Sequence, residues 1–222
     1  MRAKELVPIL AERWAVPFET AFTIDRALMN AGLRQKGRGR AYPEMTRKEA
    51  LLFLIGCMAA EKATQAADDV KAWQAATGIY PLDPSEKAPD DDGYDEWYFD
   101  SGNQVRMDYY VRINPKLSQF ATNGGHLVGL MDFMLVVCDL LETGSILCDS
   151  VKLSVSHSHQ SAEVTFFDMA GNSVEGHSFH TDRQPEFHDD LEHTQIIRSA
   201  SVYGDALMEI CARTENPLAE AE

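Results

Sequence analysis

The sequence predicts an α+β protein: an N-terminal winged helix-turn-helix, an acidic linker, and a C-terminal α+β domain built on a small antiparallel sheet. Three observations lead there. Residues 11–48 run through two stretches of helical apolar spacing, separated by Ala15-Val16-Pro17, into a basic loop punctuated by glycine. Residues 151–174 change to a spacing of two, with Val151, Leu153 and Val155, then Val164 and Phe166, then Val174. Charge divides unevenly: residues 1–75 hold twelve Lys or Arg against nine Asp or Glu, and the remainder eight against twenty-six, within a net charge of -15. That asymmetry suggests a nucleic-acid-facing module joined to an acidic one, and the boundaries it implies are 1–76, a linker over 77–96, a second domain over 97–214 and a tail over 215–222.

Taken in order, residues 3–14 place Leu6, Ile9, Leu10 and Trp14 at helical spacing, with Pro8 in the first turns. After the turn, Pro17 suits the start of a second helix, and Gly32 suits its C-terminal cap. Phe18, Phe22, Ile24, Ala27, Leu28 and Ala31 are expected on the inward face. Glu19, Thr20, Thr23, Arg26 and Asn30 are left for the outer face, and all can engage a DNA groove: Arg and Asn pair with guanine and adenine, Glu accepts from cytosine, Thr meets thymine methyls or phosphates. In the loop that follows, Arg34, Lys36, Arg38 and Arg40 alternate with small or polar residues, a pattern suited to phosphate contact. Thr46 and Glu49 have capping-box spacing at the start of an apolar helix through Met58, expected to pack behind the reading pair. A further helix over 64–76 closes the module.

The order of these features resembles winged helix-turn-helix regulators of the MarR and GntR type, whose recognition helix ends in a phrase like Leu28-Met29-Asn30-Ala31-Gly32-Leu33. The run Ala31-Gly32-Leu33-Arg34, Lys36 to Arg40, followed by Thr46-Arg47-Lys48-Glu49-Ala50, is similar to that of uncharacterised bacteriophage and prophage proteins with an N-terminal DNA-binding domain. The resemblance covers the first third of the chain and implies that fold and DNA binding.

The Pro- and Asp-rich stretch 77–96 reads as a solvated linker. It is no EF-hand: with Gly93 at the sixth position, Ala88 stands where the first ligand belongs. A helix over 125–142 follows, with Leu127 to Leu141 the preferred dimerisation element against the alternative of a core helix. A three-strand meander, a fourth strand over 195–201 and a terminal helix over 203–213 complete the reading.

Six of the seven histidines stand in the final third, but His157 and His159 fall in an apparent turn and no ligand phrase occurs, so they read as surface residues. With no nucleophile elbow or phosphate-binding loop, no enzyme, cofactor or metal is expected. Cys57, Cys138, Cys148 and Cys211 lack Cys-x-x-Cys spacing and read as reduced thiols in a cytoplasm. The N-terminal residues lack the apolar core of a signal peptide, and no run is long enough to cross a membrane.

The expectation is sequence-specific binding of double-stranded DNA by a homodimeric, phage- or prophage-associated transcriptional regulator. The alternative is an acidic interaction protein that occupies a basic host partner, as an anti-defence inhibitor or nucleic-acid mimic.

Overall fold

A computed structural model describes residues 1–37, 43–79, 127–168, 170–183 and 199–215. Six α-helices and six strands occupy them: α1 (Ala3–Arg13), α2 (Phe18–Asn30), α3 (Arg47–Ala59), α4 (Ala66–Gln74), β1 (Thr77–Ile79), β2 (Leu127–Gly129), α5 (Leu130–Glu142), β3 (Val151–Ser156), β4 (Ser161–Phe167), β5 (Ser173–His180), β6 (Ser199–Tyr203) and α6 (Gly204–Cys211). The class is α+β, with every strand pairing antiparallel in the order β2-β1-β5-β4-β3-β6.

The helix ends follow from their sequences. Gly32 takes the left-handed conformation at φ 75°, its N–H donates to the Met29 carbonyl, and the Leu33 N–H donates back to Leu28 at 3.0 Å. This is a Schellman closure, which releases the chain from α2 at a position where glycine carries no steric cost. At the start of α3 the expected capping box forms, with Thr46 accepting from the Glu49 N–H and Glu49 accepting from the Thr46 N–H.

The meander is as its spacing predicts. Val151, Leu153 and Val155 of β3 are buried, as are Ala162, Val164 and Phe166 of β4, while the alternating Lys152, Ser154 and Ser156 face the other side. Phe133 of α5 packs on this buried face, its ring centroid 5.2 Å from Phe179, 6.5 Å from Phe166 and 4.8 Å from the imidazole of His177. His177 is therefore a core residue, which corrects the expectation that the histidines lie on the surface. His157 and His159 do occupy the β3–β4 turn.

Two further corrections concern organisation. Residues 77–79, expected to open a linker, form β1, which pairs with β2 along its length and with His180 of β5 through Thr77. The remaining linker residues, 80–96, lie outside the described residues. The helix favoured as a dimerisation element is instead interior: ten of its residues are buried, among them Leu130, Phe133, Met134, Val137 and Leu140. A helix apolar around most of its circumference belongs inside a fold.

Helix α3 joins the parts of the molecule. It packs on α2 and α4 and also on α5, α6, β3 and β6, and residues 50–56 are buried without interruption. Gly56 lets α2 and α4 approach closely: a Cβ there would stand 2.9 Å from Ile24 Cγ2 and 3.3 Å from Val70 Cγ2. At its N-terminus the buried Arg47 reaches the C-terminal ends of two other helices, donating to Glu142 at 3.0 and 3.3 Å, to the Thr214 carbonyl at 3.1 Å and to the Cys211 carbonyl at 3.4 Å. A guanidinium suits the place, since unpaired carbonyls and negative partial charge collect at helix C-termini.

Candidate nucleic-acid interface

The two helices of the expected reading pair are present, α1 ending at Arg13 and α2 starting at Phe18. The rotation of α2 differs from the apolar reading. Its buried positions are Ala21, Ile24, Asp25 and Leu28, spaced as one helical face. Phe18, expected inward, is 52% exposed, and Phe22, Ala27 and Ala31 are only half-buried. The decisive residue is Asp25, a carboxylate on the inner face, which finds its counter-ion in Arg34 beyond the helix end.

Arg34 Nη2 donates to Asp25 Oδ2 at 2.7 Å, and Arg34 Nε stands 2.5 Å from Asp25 Oδ1 as a charge contact without hydrogen-bond alignment. With Arg34 only 7% exposed, its assignment to DNA contact is corrected: a buried, ion-paired guanidinium cannot reach a phosphate. Burial pushes the Asp25 carboxyl above its usual range, the hydrogen bond and charge of Arg34 draw it back, and the neighbouring Glu49 charge pushes it up again.

The other expected contacts divide into three groups. Glu19, Arg26 and Asn30 are exposed and follow one another along the outer face of α2. Thr23 lies between them, half-buried, its hydroxyl donating to the Glu19 carbonyl at 2.8 Å. Thr20 is half-buried on the flank, whereas Lys36 is exposed at the start of the loop. Arg38 and Arg40 lie outside the described residues.

No strand forms in the described residues between α2 and α3. The β contact among the described residues there is a single antiparallel bridge between Arg2 and Glu44; residues 38–42, the centre of the expected wing, lie outside the described residues. What the described limbs do show is a common anchor. Glu49 accepts the Gln35 N–H through Oε1 at 2.7 Å and the Thr46 N–H through Oε2 at 2.9 Å, so one carboxylate ties both limbs of the basic loop to the first turn of α3. The Met45 N–H donates to the Met1 carbonyl at 3.0 Å, fixing the returning limb to the N-terminus.

Elsewhere the described residues hold no group of three His, Cys, Asp or Glu side chains placed to bind a metal. No helix among them is long and apolar enough to cross a membrane. Burial pushes the Cys57 thiol up to about 12, and Cys211 donates to the Cys138 carbonyl at 3.6 Å.

No family model matches this chain, and neither a curated protein nor a solved structure shows significant similarity to it.

Sequence reasoning missed three residues of this region. Apolar spacing alone points Phe18 and Phe22 inward, and residue spacing alone reads Glu49 as a cap. A signal for the first error was available in Asp25, whose position between Ile24 and Leu28 marks it as inward once a partner is sought within reach of the helix end.

Proposed function

We propose that this protein binds double-stranded DNA in a sequence-dependent way and serves a phage or prophage as a transcriptional regulator. The outer face of α2 is the reading element and the adjoining basic loop is the phosphate contact. The observation that carries this reading is the tethering of both loop limbs by Glu49 beside the end of α2, next to an outer face that offers Glu19, Arg26 and Asn30. A loop held at its base can place cations beside a groove at low entropic cost, and phosphate contacts orient a helix whose side chains then discriminate bases. Lys36, Arg38 and Arg40 remain for that task, while Arg34 holds the loop's base to α2.

The test is selection of DNA by the full chain from a random pool, followed by affinity measurements across a salt series. Enrichment of one motif is expected. Arg38→Ala with Arg40→Ala should weaken binding to all sequences alike and make the salt dependence shallower by about two phosphate contacts. Arg26→Ala should relax preference at one base pair by about 1 to 3 kcal/mol. Recovery of no motif, with no salt-dependent binding to any duplex, would remove DNA from the account.

A further inference from the structure

Phe18 exposes its aromatic ring on α2, and the half-buried Phe22 lies one turn further along. Phe18 is one of three large hydrophobic residues exposed among the described residues, the others being Leu147 and Tyr203. Its ring meets that of Phe22 edge-on, with centroids 4.4 Å apart and planes inclined at 64°. The pair occupies the first two turns of α2, with Glu19 and Thr23 next to it and Arg26 one turn beyond Phe22. The edge-on contact with Phe22 is a favoured aromatic geometry and leaves the rest of the Phe18 ring open.

We infer that Phe18 and Phe22 form an apolar reader of thymine methyl groups in the DNA major groove. The inference rests on the DNA-binding reading and adds the chemical class of base it selects. In a helix-turn-helix the N-terminal turns of the second helix meet base edges. The one apolar group on those edges is the C5 methyl of thymine, and aromatic side chains are among its partners. Charge favours this occupant: the pair lies on the helix that leads to Lys36, in the portion of the chain where Lys and Arg outnumber Asp and Glu.

The experiment replaces thymine by uracil, one position at a time, in the motif selected by the full chain. This removes the methyl and leaves every hydrogen-bonding group in place. Affinity for each contacted position should fall about fourfold, the worth of one buried methyl-sized group. In Phe18→Ala the thymine and uracil probes should bind alike, with the salt dependence of the parent retained. Phe18 is exposed, so this variant keeps the fold; the uracil series on the unaltered protein tests the idea independently of any variant. A specific motif bound equally with thymine or uracil would overturn the inference and leave DNA binding standing, whereas absence of any motif would overturn both. Dissociation of a dimer into monomers on Phe18→Ala, in sedimentation without DNA, would assign the pair to a second copy of the chain and overturn it as well.

Discussion

Asp25 and Arg34 are the residues whose removal tests the local structure most directly. Both are nearly inaccessible, so deleting one leaves the other charged and without its partner. Asp25→Ala should cost about 3 to 5 kcal/mol in urea unfolding. Replacing both at once, as Asp25→Leu with Arg34→Met, should be neutral or stabilising, because the desolvation of two ions disappears together with their attraction. The pH dependence has a definite sign. A carboxyl whose folded pKa is raised contributes its stability below the ordinary value of 3.8 and loses it as pH rises through the raised value. Relative to Asp25→Asn, the parent should therefore become less stable with rising pH across that interval and level off above it. A parent that gained stability over the interval would show Arg34 prevailing over burial.

At the scale of elements, Glu49 should be felt on both sides of the loop. Glu49→Ala removes acceptors for the N–H groups of Gln35 and Thr46, and each such bond contributes about 0.5 to 1.5 kcal/mol. Amide exchange should accelerate at Gln35 and Thr46 together. Thr46→Ala should cost about 1 kcal/mol, as an ordinary cap does, without freeing Gln35. Retained protection at Gln35 in Glu49→Ala would mean that the two limbs are held independently. The contrast shows what was legible. Helices α1 to α3, the capping box, the Gly32 closure and the meander are local: each is written in spacing or in residues three or four apart. The rotation of α2 is not local, because Asp25 becomes an inward residue only when Arg34 turns back to meet it. Counting apolar residues favoured Phe18 and Phe22, and the cost of burying Asp25 was offset by a partner outside the helix. The loop's anchor was hidden for a similar reason, since Gln35 and Glu49 come together across fourteen positions.

At the scale of the whole molecule, the step in charge near residue 76 suggested a boundary that the packing does not respect at α3. Residues 50–56 of that helix are buried without interruption because α2 and α4 pack on it together with α5, α6, β3 and β6. Charge composition reports surface, whereas continuity of a core is set by which apolar faces meet. A fragment comprising residues 1–76 would expose the α3 surface that α5 and the sheet now cover, and Arg47 would lose its acceptors at Glu142, Cys211 and Thr214. With the entropy of ordering its chain unchanged and much of its apolar burial removed, the fragment should fail to unfold as a cooperative unit. In the full chain, by contrast, Trp14 and Trp73 report on the helices, with the Trp14 ring tilted against Phe53 at a centroid distance of 5.8 Å and Trp73 itself 1% exposed. Their fluorescence should change in the same transition as the circular dichroism of the sheet. Phe53→Ala, which opens a cavity in α3, should move both signals together by about 3 to 5 kcal/mol. Two separated transitions in the full chain, or a sharp cooperative melt of the fragment with dispersed amide resonances, would instead establish the first 76 residues as a domain in their own right.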